Sequence, residues 1–186
     1  MHIFIRMRKE IIQSITIPEG IEAKIDKNLI FIKGPEGENK KEFNTNGLIF
    51  EKKENEVVIG NENSTKKEKK RINTIASHIK NMILGVQKKY EYKLKICFNH
   101  FPITLDIQKD KILVKNFLGE KMPRKLKLLS NVEVELNKDI VSIRSCDKEL
   151  AGQTAANFEN ATRIRKRDRR VFQDGIFIIS KEKTEE

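Results

Sequence analysis

Six of the eight residues from Arg163 to Arg170 are basic and one, Asp168, is acidic, so the segment carries a local charge of +5. Five of the ten arginines in the chain fall inside it, while lysine is the prevailing cation elsewhere. Arginine offers a planar fork that grips phosphate oxygens in a bidentate way and stacks on bases, which a lysine ammonium does not. Concentrating that fork in one short stretch points to close contact with the backbone of a nucleic acid. Cations at the C-terminus of a helix also meet the helix dipole favourably, but one or two charges satisfy that effect and six leave an excess. The first candidate contacts are therefore Arg163, Arg165, Lys166, Arg167, Arg169 and Arg170.

A second basic stretch, Lys66, Lys67, Lys69, Lys70 and Arg71, stands at the start of a helical segment. Cations are unfavourable there, so it marks either an external anion or a solvated first turn; both readings stand. Catalytic constellations are poor by comparison. Cys97 and His100 have the spacing of half a zinc site, but only Cys146, His2 and His78 remain to complete it, and a closed site needs four ligands. The two cysteines do not make a disulfide framework, and each reads as a small buried hydrophobe. Gly34-Pro35-Glu36-Gly37 lacks the Gly-Lys-Ser/Thr of a phosphate loop and suits a tight turn instead. His78 lies beside an apolar stripe and reads as packing. No enzyme, cofactor, metal or small-molecule substrate is expected.

The whole chain agrees with a polyanionic partner. Its 186 residues carry a net charge of +11, with a pI near 9.6, which raises the local concentration of polyanions. Charge alone does not separate RNA from DNA, so a basic DNA- or RNA-associated regulatory protein is the alternative reading. An RNA-modifying enzyme working through His78 or His100 is a further rival. No apolar run approaches the roughly 18 residues that span a bilayer, and Met1 to Lys9 is not followed by an apolar signal region. The expectation is a cytosolic or nuclear protein with no membrane partner.

The elements that position these residues come in two copies. Ile30-Phe31-Ile32-Lys33 leads through a turn to Gly37-Glu38, and Ile112-Leu113-Val114-Lys115 leads through a turn to Gly119-Glu120. Val57-Val58-Ile59 corresponds in the same way to Val141-Ser142-Ile143, and each is followed by a helical segment. The first helix is predicted over Ser64 to Val86, with Ile72, Ile75, Ala76, Ile79, Met82, Ile83 and Val86 on one stripe. Ser64 or Thr65 would cap it and Gly85 would stop it. The second is predicted over Asp147 to Arg165, carrying Leu150, Ala155, Phe158, Ala161 and Ile164. Tyr90 to Phe98 alternates as a strand. The fold class is thus α+β: two similar domains from an internal duplication, each a small antiparallel sheet packed with one helix. The expected domains are 1–87, with an N-terminal extension, and 88–186.

Several blocks in order resemble the large-subunit ribosomal protein six family in its archaeal and eukaryotic form. They are Ile17-Pro18-Glu19, Ile32-Lys33-Gly34-Pro35, Phe43-Asn44, Ser77 to Ile83 with Gly85-Val86, His100-Phe101-Pro102-Ile103, Asn116 to Lys121, and Arg170 with Phe172 and Asp174 to Phe177. Glu36, Asn160 and Arg169 depart from the usual residues of that pattern. The resemblance implies two α+β domains and a structural role, with the second domain binding large-subunit rRNA near the sarcin–ricin loop, at the edge of the translation-factor site. It implies neighbouring large-subunit proteins and translation GTPases close by, on a cytosolic ribosome, with a nuclear or nucleolar assembly stage if the source is eukaryotic. Carried over by position, it adds Lys115, Asn116, Phe117 and Lys121 to Arg163–Arg170. Phe117 is the best candidate for stacking on a base, with a core phenylalanine as its other reading.

Overall fold

The computed structural model describes residues 9–108, 111–168 and 170–182. Arg169 and the N-terminal extension lie outside them. The chain divides into two compact units, Met1–Lys88 and Lys89–Glu186.

The first unit contains β1 (Lys9–Thr16), β2 (Glu22–Asp26), β3 (Leu29–Gly34), β4 (Gly37–Glu42), β5 (Ile49–Lys53), β6 (Glu56–Ser64) and α1 (Lys66–Gln87). The second contains β7 (Tyr90–Cys97), β8 (Thr104–Ile107), β9 (Lys111–Lys115), β10 (Arg124–Lys127), β11 (Glu133–Asn137), β12 (Ile140–Ser145), α2 (Lys148–Ala161) and β13 (Gly175–Glu182). A single 3-10 turn, Phe117–Gly119, joins β9 to β10. All pairings are antiparallel.

The duplication is real, and each copy divides its strands between two sheets. In the first unit these run β1-β6-β5 and β2-β3-β4; in the second, β11-β12-β7-β13 and β10-β9-β8. The matched sequence blocks fall on matched strands. Ile30 and Ile32 of β3 are buried in one core, and Ile112 and Val114 of β9 in the other. Val57 and Ile59 of β6 likewise answer to Val141 and Ile143 of β12. Alternation sends every second side chain to one face, so Phe31 between its two buried neighbours is exposed. β13 has no counterpart among the described strands of the first unit.

All seven residues of the predicted stripe on α1 are buried. Thr65 caps the helix: its Oγ1 accepts the Lys67 N–H at 3.3 Å, while its own N–H donates to the Glu68 carboxylate at 2.9 Å. Gly85, expected from the sequence to stop the helix, does not do so. It lies inside, on the buried face, and the Lys88 N–H still reaches the Leu84 carbonyl at 2.9 Å. The cost of about 1 kcal/mol for an internal glycine is too small to end a well-packed helix.

The second helix is shorter than its periodicity suggests. It begins after Asp147, whose side chain accepts the Glu149 N–H at 2.8 Å, and ends at Ala161. Thr162 stops it: the hydroxyl donates to the Phe158 carbonyl at 3.2 Å and accepts the Ile176 N–H at 2.9 Å, tying the helix end to β13. Ile164 lies outside the helix and packs on the second core as part of the following loop.

Candidate nucleic-acid interface

The described residues of Arg163–Arg170 belong to the loop between α2 and β13. No basic residue occupies the last turn of α2, so compensation of the helix dipole does not account for the run. Lys166 adopts the left-handed conformation, φ 59°. Asp168 organises the far end of the loop: its carboxylate accepts from the Arg170 backbone N–H at 2.9 Å and from that guanidinium at 2.9–3.2 Å. Its carbonyl accepts the N–H groups of Val171 and Phe172. The same hydrogen bonds hold the Asp168 carboxyl below the usual carboxylate range. Even so paired, the Arg170 side chain is 90% exposed.

The remaining described arginines serve the fold. Arg71 donates to the carbonyls of Asn44 and Asn46, at 2.6 and 3.2 Å, which favours a structural account of that part of the first-helix cluster. Arg144 pairs across β12 with Glu91 at 2.9 Å and Glu135 at 3.2 Å. Arg124 grips the Glu120 carboxylate through Nε and Nη2, at 2.8 and 2.5 Å, and donates to the Ala161 carbonyl at 2.6 Å. The side chains of Arg163 and Arg165, by contrast, are exposed and have no hydrogen-bond partner among the described residues. The described arginines are therefore partitioned: Arg71, Arg124 and Arg144 tie parts of the fold together, and Arg163, Arg165, Arg167 and Arg170 of the loop are exposed.

The turn after β9 stands beside that loop. Arg124 connects them, since it also reaches the Arg163 carbonyl at 3.4 Å. Glu120 is held below its ordinary pKa first by its hydrogen bond with Arg124, with the charge of Arg167 contributing. Within the turn, Asn116 takes a left-handed φ of 59°, a conformation asparagine adopts more readily than most residues, and its amide donates to the Pro102 carbonyl at 3.0 Å. Lys115 pairs with Asp106 at 3.1 Å, and Lys121 is exposed.

Phe117 requires a correction. Its side chain is 1% exposed, among the largest fully buried groups of the second core, and the Arg124 guanidinium covers its ring at 4.3 Å from the centroid. No face remains for a base. Phe117 anchors the turn, and burying such a ring contributes about 1.5–3 kcal/mol.

A brace that sequence reading did not foresee holds the other side of the loop. Asp174, 1% exposed, accepts the N–H groups of Asn99 and His100 at 2.5 and 3.1 Å and the His100 Nδ1 at 2.7 Å. Burial pushes its carboxyl upward, but these hydrogen bonds prevail and leave it below the ordinary aspartate range. His100 stacks on Phe172 at 5.1 Å, and the Arg167 guanidinium lies 4.8 Å over the same Phe172 ring. In the sequence, His100 and Asp174 are marked only by falling in two separate blocks of the resemblance, with nothing to pair them. The imidazole is engaged with the Asp174 carboxylate. His78 lies against Phe43, ring centroids 5.8 Å apart.

The sequence that builds this site has known relatives. The family model described as Ribosomal protein L6 matches residues 17–89 and again 101–175, one match on each copy of the duplicated fold. The chain belongs to the ribosomal protein L6 family. It is similar to the large ribosomal subunit protein uL6 of Methanobrevibacter smithii, at 45% identity over 91% of this chain and 96% of that one. The uL6 proteins of Methanosarcina mazei and Ignicoccus hospitalis are each 40% identical to it, covering 94% and 90% of the chain and 99% and 93% of their own lengths. Family membership thus extends across both units.

Proposed function

We propose that this protein is a structural, non-catalytic constituent of the large ribosomal subunit that binds and stabilises folded large-subunit rRNA. The contact surface is the second unit, with Arg163, Arg165, Lys166, Arg167, Arg169 and Arg170 on phosphates and Lys115, Asn116 and Lys121 alongside. One observation carries this reading: among the described residues, Arg71, Arg124 and Arg144 outside the loop are engaged by the fold, while Arg163, Arg165, Arg167 and Arg170 within it are exposed on a braced support. RNA helices are read largely through shape, 2′-OH and phosphate contacts, which suits a rigid cationic loop with few base-specific groups. Relatives named as large-subunit proteins, at 38–45% identity, support the ribosomal partner over duplex DNA.

The finer placement is near the sarcin–ricin loop, with neighbouring large-subunit proteins in contact and translation GTPases passing close by. The expected location is the cytosolic ribosome. Because these relatives are archaeal, a nucleolar assembly stage has no support. The test is to crosslink the tagged protein in cells and sequence the attached RNA. A sharp peak on large-subunit rRNA at the sarcin–ricin region, lost when Arg169 and Arg170 are both replaced by Glu, is the expected result. Signal spread over messenger RNA or DNA would overturn the assignment.

A further inference from the structure

We propose that the cleft between the end of α2 and the start of β13 seats one unpaired nucleotide, its base on Phe98, Val171 and Phe177 and its phosphate on Arg163. The inference rests on the reading above that the partner is RNA. The cleft has a volume of about 920 Å³ and is lined by these four residues together with the amides of Asn99 and Asn160, among others. Phe98 and Phe177 are each 47% exposed and Val171 is 60% exposed, so three large apolar surfaces face solvent at the foot of the most cationic segment of the chain.

Two chemistries meet here. Arg163 and its flanking run select a polyanion, and the phenylalanine faces select a flat apolar surface. A nucleotide carries both, and bases of unpaired RNA are taken up by stacking on aromatic rings with hydrogen bonds to their edges. Asn99 and Asn160 supply donors and acceptors for such edges, and neither side chain has a hydrogen-bond partner among the described residues. The walls are also set in place. A Cβ at Gly175 would lie 3.0 Å from the Phe177 Cζ, so that ring lies across bare backbone. Asp174 meanwhile fixes the segment that carries Asn99.

The experiment uses the full chain bound to large-subunit rRNA, with hydroxyl-radical footprinting of the backbone and chemical probes for all four bases. One unpaired base is expected to be protected by the natural protein. In the Phe98→Ala, Phe177→Ala variant that base becomes reactive, affinity falls roughly tenfold or more, and the backbone footprint persists. Both rings are exposed, and far-UV circular dichroism checks the fold; Phe98→Tyr with Phe177→Tyr restores protection. Base reactivity identical for natural and Ala proteins overturns the pocket while leaving rRNA binding intact. Absence of any backbone footprint overturns the proposed function instead. A benzophenone side chain placed at Val171 that crosslinks to protein in assembled subunits, not to RNA, also overturns the pocket.

Discussion

The guanidinium of Arg124 lies 4.3 Å from the centre of the Phe117 ring and donates to the Ala161 carbonyl at 2.6 Å, so one side chain closes a core, caps a helix end and supports the basic loop. Arg124→Ala is expected to destabilise the protein by about 2 kcal/mol, from lost charged hydrogen bonds and the ring contact. Lysine, which lacks the fork, should not restore it. Urea unfolding measures this; an unchanged midpoint would remove Arg124 as a brace.

Phe117 offers a clean separation of packing from recognition. Phe117→Ala should cost about 3–5 kcal/mol, as for other large-to-small core changes. Phe117→Leu keeps an apolar core and should leave rRNA affinity within about twofold. A tenfold loss of affinity in a well-folded Leu variant would return the ring to the interface.

The pH dependence of stability should carry the signature of Asp174. Its folded pKa is depressed, so its contribution is fully present above the unfolded value of about 3.9 and is lost as pH falls through the lower folded value. Asp174→Asn should therefore lower the urea midpoint at neutral pH and narrow its gap to the natural protein in acid. Parallel curves down to the acid limit would contradict the brace.

Gly34 sits where the β3–β4 hairpin meets α1, with the Glu36 N–H donating to the Val86 carbonyl at 3.0 Å. A Cβ at Gly34 would stand 2.9 Å from both that carbonyl oxygen and the Val86 Cγ2. Gly34→Ala is expected to cost about 1–3 kcal/mol through overpacking. Chemical denaturation reads it, and a neutral result would mean that the hairpin shifts freely.

Each arginine of the loop that meets a phosphate should contribute to salt sensitivity. Arg165→Gln is expected to reduce the slope of log affinity against log salt by about 1 and to weaken binding alike across RNA sequences. A slope identical to that of the natural protein would exclude Arg165 from the contact.

Most of the architecture was legible because it is written in short-range periodicity. The α1 stripe of Ile72 to Val86 and the alternation of Ile30 with Ile32 need only neighbours a few residues away, and the second copy repeats the message at Ile112 and Val114. The end of α2 was not legible, because Thr162 stops it with a hydrogen bond to Ile176 that no local pattern encodes. Phe117 was ambiguous for a related reason. An aromatic residue in a polar turn looks presented until Arg124, from a different strand, is seen to cover it. Of the candidate interface, the charge of Arg163–Arg170 was visible in composition, whereas the Asp174 brace joins positions 74 and 75 residues apart.

The duplicates are unequal at β13. In the first repeat, α1 ends at Gln87 and the next strand starts at Tyr90, which leaves almost no chain to vary. In the second, α2 ends at Ala161 and the chain travels to Gly175 before β13 begins. The connection that leads to this added strand holds five of the ten arginines of the chain. A connection of that length can carry charge without altering strand order in either unit, whereas the two-residue link after α1 has no room for it.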